Sequence, residues 1–383
     1  MSGFWDELTP DTSAFKETQL TSTQIPNPSV FQKTLLKWFD VNKRDLPWRR
    51  TKDPYSIFVS EMMLQQTQVK TVIPYYERFL KELPDWKALA KAKEEKVLKL
   101  WEGLGYYRRA RNLQAAAQKI IKDFGGKLPD TQEQIREIPG VGPYSAGAIL
   151  SIAYQKPLPL VDGNVIRVFS RIFLLKGNLK TGEGHQKVWD VARNLIPTRR
   201  PGDFNQALME LGATVCLPDN PQCLLCPMRG LCQAVQKGLQ NELPEMAKAT
   251  ATMEVPMAAL LMENKGKILV KKRSQEERWL KGMWEFPSAE GKTHLEALKK
   301  LERSTNSKAT PKELQSVRHQ ITHHKIDLKL FPAVPGKKSA LSKDYLWISP
   351  KELGKLPFSS AQNKLRSWVL NTVKQKAQHK PGF

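Results

Sequence analysis

The sequence predicts a multidomain chain, an all-α region followed by an α+β domain. Three observations carry that expectation. Across residues 28–240 apolar side chains recur at helical spacing, as in Ala110, Leu113, Ala117, Ile120, Ile121 and Phe124. From Val255 onward the pattern changes to short apolar runs around Asn264-Lys265-Gly266, a hairpin turn. The chain has 383 residues, enough to bury the cores of two domains.

In chain order, residues 1–27 are rich in Thr, Ser and Pro without a steady period and are expected to form a loose arm. The helical domain is placed at 28–240. Asp53-Pro54 reads as a cap followed by a first-turn proline. Gly125-Gly126 stops the helix that carries Ala110 to Phe124, and Asp130 and Glu133 have capping-box spacing for the next one. Residues 241–251 contain Pro244 and few large apolar groups, and read as a linker. In the domain at 252–360, strands are expected over 255–261, 267–271, 326–331 and 345–348, and a helix over 294–303. After Glu352 no acidic residue follows, while Lys355, Lys364, Arg366, Lys374, Lys376 and Lys380 remain. Residues 361–383 therefore read as a basic tail that holds phosphates weakly, or as a solvated face.

Sixty-one Lys and Arg against 38 Asp and Glu give a net charge of +23. Such an excess points to a polyanionic partner, most simply nucleic acid. A merely soluble basic protein and one that binds an anionic membrane surface are the alternatives; no apolar run approaches the length of a membrane span. The start, Met1-Ser2-Gly3-Phe4-Trp5-Asp6, lacks the basic-then-apolar order of a secretion signal. A cytoplasmic location is expected, nucleoid-associated if the source is bacterial.

All four cysteines fall in one loop, 216–232, as C-x6-C-x2-C-x5-C: Cys216, Cys223, Cys226 and Cys232. Four thiolates this close suggest one tetrahedral metal centre, either zinc or a 4Fe–4S cluster. Only Cys223 and Cys226 form the C-x2-C knuckle typical of zinc, so the spacing favours iron–sulfur. Disulfides are disfavoured in a large chain with no other cysteine.

Ile138-Pro139-Gly140-Val141-Gly142 lies between two helical runs, the second beginning at Pro143. Glycines two apart let the backbone turn sharply and present bare N–H groups. With the helix N-terminus behind it, the turn formed by Gly140, Val141 and Gly142 makes a phosphate site without sequence preference.

The hairpin, then Leu160-Val161-Asp162-Gly163-Asn164-Val165, then the cysteine loop resemble, in that order, the helix–hairpin–helix base-excision DNA glycosylases. Within them, Val59-Ser60-Glu61-Met62-Met63-Leu64-Gln65-Gln66-Thr67 and Gly103-Leu104-Gly105-Tyr106-Tyr107 are similar to the MutY adenine-DNA glycosylases. The likeness is close over residues 28–240 and looser beyond. It implies two helical subdomains with a DNA cleft between them, and a 4Fe–4S cluster on the four cysteines. It also implies a partner: double-stranded DNA carrying A·8-oxoguanine or A·G mispairs. A monomer is expected.

Breaking a base–sugar bond needs a proton for the leaving base and stabilisation of the sugar cation, and paired carboxylates supply both in glycoside hydrolysis. Glu61 lies among Val59, Met62, Met63 and Leu64, where burial is expected to keep it protonated. By the resemblance it protonates N7 of adenine and later helps activate water. Asp162 could simply cap a helix. The resemblance makes it the ionised carboxylate that stabilises or captures the sugar cation, with Asn164 orienting this carboxylate or the sugar. Related glycosylases that also nick the strand carry a lysine where this chain has Tyr144, so the abasic strand should be left largely uncut. Gln66 and Tyr106 match residues inserted into the duplex when the base is flipped out, and Gln65 a minor-groove contact. Trp48 and Arg49 match the rim of the adenine pocket, although Trp48 could equally be core.

Residues 252–360 resemble the Nudix-like domain of the same family. Gly282 is followed by Met-Trp-Glu-Phe-Pro, and Lys299 and Lys300 stand where Nudix hydrolases hold Mg2+ with carboxylates, so no pyrophosphatase activity is expected. The family reads 8-oxoguanine with Phe-Ser-His; this chain has Ile321-Thr322-His323. Two other readings are an endonuclease III-like glycosylase/lyase and a DNA-scanning protein without catalysis. Tyr144 and the C-terminal domain disfavour the first. The retention of both Glu61 and Asp162 disfavours the second.

Overall fold

The structure, a computed structural model, describes residues 27–245, 252–277, 280–336 and 341–378. Most of the expected arm, part of the linker and the last residues of the expected tail lie outside these. The chain divides into two compact units: Met1–Lys43 with Val161–Met246, and Arg44–Leu160 with Ala247–Phe383. Among the described residues no helix is long and apolar enough to cross a membrane.

The first unit is helical. Asn27 accepts from the Ser29 N–H and Pro28 opens the helix Pro28–Asn42, whose Phe31, Leu35 and Phe39 recur four apart and are buried. Phe31 stacks on Phe173 at 5.9 Å and meets Phe169 edge-on at 6.5 Å. The helices Gly163–Ile172, Gly182–Leu195 and Pro201–Thr214 complete this core. Arg200 ties the first helix to the last, donating to Asp40 at 3.1 Å and to Asp203 at 2.7 Å.

The second unit joins seven described helices to a sheet domain. Helix Pro54–Leu64 starts as the sequence predicts, on the Asp53 cap and Pro54, and is buried at Tyr55 and from Ile57 to Met63. A helix apolar on all sides belongs inside a core. Helix Arg108–Asp123 turns Ala110, Leu113, Ala117 and Ile120 inward. It stops at Gly125 and Gly126, both at positive φ, and the Gly126 N–H returns to the Ile120 carbonyl. The expected cap at Asp130 is not formed. Thr131 caps the helix Gln132–Arg136 by accepting from the Gln134 N–H, and Asp130 pairs with Lys156 instead. The hydroxyl one residue later is better placed for the third N–H, which frees the carboxylate for an ion pair.

Among the described residues eight strands form the C-terminal sheet: β1 Met253–Asn264, β2 Lys267–Lys272, β3 Trp284–Glu285, β4 Ser288–Glu290, β5 Ser307–Ala309, β6 Gln315–Ile321, β7 His324–Pro335 and β8 Tyr345–Ile348. β1 and β2 meet at the predicted Lys265-Gly266 turn, both residues at positive φ. β1 runs parallel to β7 at the centre, so it is covered on both faces. Ala258, Leu260 and Met262 pack with Leu298 and Leu301 of the helix His294–Thr305. Ala259, one residue out of phase, packs with Leu365 and Val369 of the helix Ser360–Gln378. That last helix is therefore part of the domain core. Arg366, expected to hold phosphates or face solvent, is buried and paired with Glu102.

Candidate active site

Glu61 sits on the buried helix Pro54–Leu64 with 4% of its surface exposed. The Tyr144 hydroxyl donates to Glu61 Oε2 at 3.2 Å. Tyr144 comes from the first turn of the helix Pro143–Tyr154, whose Ala146, Ile149 and Leu150 share a buried core with Val59, Met62 and Met63 of Glu61's helix. One residue on, Ser145 Oγ accepts from Gln65 Nε2 at 3.2 Å. Glu61–Tyr144 and Gln65–Ser145 are thus two neighbouring polar contacts between the same two helices.

The hairpin leading into Tyr144 is built tightly. Gly140 has φ +84°, and a Cβ there would fall 2.7 Å from Met62 Cε and 2.9 Å from Asn112 Cβ. Gly142 is exposed at the N-cap of Pro143–Tyr154 and brings no capping side chain. The Val141 N–H is used within the turn, on the Ile138 carbonyl.

Gln66 and Tyr106 share a property that sequence does not show. Both are exposed and both hold positive φ, +56° and +48°, where non-glycine residues are strained. One buried guanidinium supports both turns. Arg109 donates to the Met62 and Met63 carbonyls at 3.1 and 2.7 Å, to Thr67 Oγ1 at 3.0 Å and to the Gly105 carbonyl at 3.2 Å, and also reaches the Gln65 carbonyl. Desolvation pulls Arg109 down to about 10. Sequence reading overlooked it because Arg108-Arg109 looks like any basic pair. Trp48 is 7% exposed and packs edge-on against Tyr76 at 5.4 Å, so it is largely core. Arg49 is half-buried and donates to the Arg44 carbonyl.

Asp162 and Asn164 belong to the other unit. Asp162 is the N-cap of Gly163–Ile172: Oδ1 accepts from the Val165 N–H and Oδ2 from Asn164 Nδ2, both at 2.8 Å. Burial, the largest influence, holds its carboxyl above the ordinary carboxylate range, against the opposing pull of these two bonds and the Arg167 charge. Arg167 donates to Asn164 Oδ1 at 2.8 Å and to the Cys216 carbonyl at 2.7 Å. Arg171 donates to Cys216 Sγ at 3.3 Å and to the Leu217 and Pro218 carbonyls. Asp162 and the cysteine loop are therefore joined through side chains of one helix. The spacing of Asn164, Arg167 and Arg171, three and then four apart, could have revealed this shared face.

All four cysteines line one common cavity with Val168, Arg171 and Ile172. As free thiols, burial raises Cys226 to about 12 and lifts Cys223 and Cys232 above the ordinary range. Among the described residues no group of three His, Cys, Asp or Glu side chains closes on a single-ion site. The donor set, four soft thiols lining one cavity, is of the kind that binds zinc or an iron–sulfur cluster.

In the sheet domain, Thr322 and His323 form the two-residue turn between β6 and β7. Thr322 is exposed at φ +52° and its Oγ1 donates to the Ile321 carbonyl. His323 lies over His324 with ring centres 4.1 Å apart. Ile321 is half-buried against the sheet core.

Residues 59–194 match the model of the HhH-GPD superfamily base excision DNA repair proteins, and residues 257–368 match the NUDIX domain. The adenine DNA glycosylase of Rattus norvegicus is 47% identical over 230 residues, 58% of this chain and 45% of that protein. The chain thus spans about half the length of its mammalian relatives. The adenine DNA glycosylase of Buchnera aphidicola subsp. Acyrthosiphon pisum (strain APS) is 34% identical over 296 residues, 77% of this chain and 83% of that protein. A solved structure of a thermostable thymine-DNA glycosylase superposes with a TM-score of 0.51 at 32% identity, covering 55% of this chain and 97% of that one.

Proposed function

The chain belongs to the adenine DNA glycosylase family, and on that premise we propose that it hydrolytically removes adenine mispaired with 8-oxoguanine, and less readily with guanine, leaving an abasic site. The observation that carries this reading is the buried Glu61 carboxyl with the Tyr144 hydroxyl on it. Glu61 protonates N7 of a flipped adenine and then helps activate water. A carboxyl among apolar side chains is suited to general acid work. Asp162 stabilises the sugar cation as a carboxylate, a form favoured by the bonds from Val165 and Asn164. Tyr144 supplies no amine for a Schiff base, which supports base release without strand cleavage.

The hairpin at Gly140–Gly142 grips a phosphate through backbone N–H groups and the following helix N-terminus. Gln66 and Tyr106 enter the duplex as the adenine leaves the stack, at a cost of a few kcal/mol of unstacking. Thr322 and His323 read the 8-oxoguanine. The four cysteines hold a 4Fe–4S cluster that acts as a clip on the loop. The net charge of +23 supports the phosphate backbone as the main source of affinity.

The test is a gel assay on an A·8-oxoguanine duplex with and without alkali. Cleavage that appears only after alkali supports the proposal. Nicking without alkali would make the protein a lyase, and binding without adenine release would remove the catalytic role.

A further inference from the structure

Residues 102–107 form the turn that presents Tyr106, and groups of the C-terminal domain hold it at both ends. At the first end, the Glu102 side chain is only 9% exposed. Its Oε1 accepts from the Phe358 N–H at 2.7 Å. Its Oε2 accepts from Arg366 at 2.9 Å and from Lys99 at 2.7 Å. Lys99 also donates to the Gly354 and Leu356 carbonyls at 3.0 and 3.1 Å. At the second end, the Tyr107 hydroxyl accepts from the Gly103 N–H and donates to the Phe358 carbonyl, both at 3.2 Å. The Arg366 guanidinium lies 5.1 Å from the centre of the Phe358 ring and also donates to the Leu356 carbonyl at 2.5 Å and to Asn363 Oδ1 at 2.5 Å.

What lies between these anchors turns sharply, and one non-glycine residue in it is strained. Gly103, Gly105 and Tyr106 have φ of +105°, +73° and +48°. A tyrosine in the left-handed region persists only where its surroundings impose it. Arg109 supports the inner side of the turn, through the Gly105 carbonyl. The outer side is supported by the C-terminal domain, through Glu102 and Tyr107. A buried carboxylate paired with a buried guanidinium is costly to separate, so the contact favours one arrangement.

We propose that the C-terminal domain holds the Tyr106 turn in its inserting shape, with Glu102, Tyr107 and Arg366 as positioning residues for base opening. The domain then has two tasks: it reads the opposite base and it braces the residue that opens the pair. This inference rests on the proposed role of Tyr106 as the inserted side chain.

The test uses the full chain and 2-aminopurine beside the 8-oxoguanine of an A·8-oxoguanine duplex. Insertion unstacks the probe and raises its fluorescence. With Glu61→Gln blocking chemistry, the parent protein should give a rise. Adding Arg366→Met should remove most of it, and Arg366→Lys should restore much of it. In the active background, Arg366→Met should slow single-turnover excision roughly tenfold, within the usual range for coupling between sites. Duplex binding, which rests on phosphate contacts, should change far less. Tyr107→Phe keeps the ring in the core and should shift both readouts in the same direction; it decides the matter alone if Arg366→Met melts early. A full rise and parental rate in both folded variants would overturn the inference. Tyr106→Ala separates the premise from it: if the rise survives that change, Tyr106 is not the inserted residue, and the inference falls with its premise.

Discussion

The Tyr144 hydroxyl donates to Glu61 Oε2 at 3.2 Å, across the packing of two helices that carry the hairpin and the proposed general acid. Tyr144, proposed to stand in place of the lyase lysine, thus contacts the proposed acid directly. Tyr144→Phe should slow adenine release by roughly 10- to 100-fold, as expected for losing one hydrogen bond to a charged or catalytic carboxyl. Binding of the duplex should be nearly unchanged. Single-turnover kinetics and a binding isotherm on the same duplex check this, and an unchanged rate would make the contact incidental.

The cysteine loop should hold iron. Anaerobically purified protein should be yellow-brown, with about four irons per chain. Cys223→Ser should lose colour and DNA affinity together. Because Arg167 joins the Cys216 carbonyl to Asn164, and Asn164 joins Asp162, the excision rate of that variant should fall even at saturating DNA. Metal analysis that finds zinc instead of iron would contradict the cluster.

Gly140→Ala tests the hairpin. The added Cβ meets Asn112 Cβ at 2.9 Å, a fixed atom, in a backbone with φ +84°. Overpacking and strain together should cost about 1–3 kcal/mol of stability. Thermal melting reads the loss, and duplex binding at fixed salt should weaken for every sequence alike, because a phosphate contact carries no base information.

The double change Thr322→Ala plus His323→Ala should narrow the preference for A·8-oxoguanine over A·G, with each lost polar contact worth roughly 1–3 kcal/mol of discrimination. Excision from A·G should stay nearly the same. Thr322 is the exposed tip of the β6–β7 turn, so it can reach a base without repacking the sheet. An unchanged preference would assign the reading to other residues.

Much of this was legible in the sequence where the physics is local. Asp53-Pro54 starts its helix, Gly125-Gly126 ends another, and Lys265-Gly266 turns the β1–β2 hairpin, because each is fixed by backbone geometry within a few residues. Glu61 could be read as buried from the apolar residues around it. The long polar side chains could not be read this way. Arg366 looked like part of a basic tail, yet its partner is Glu102, far back in the chain. Arg109 drew no notice beside Arg108, yet it donates to carbonyls of two turns. Such partners are set only when the tertiary fold closes. Asp130 was misread for a smaller reason: Thr131 beside it was the better cap.

The most direct measurement is single-turnover adenine release from an A·8-oxoguanine duplex by the parent protein and by Glu61→Gln. A general acid contributes ~100- to 10,000-fold, so the variant should bind the duplex normally and release adenine slower by at least that range. Equal rates in the two proteins, or no adenine release by the parent, would contradict the central claim that Glu61 performs the chemistry of an adenine glycosylase.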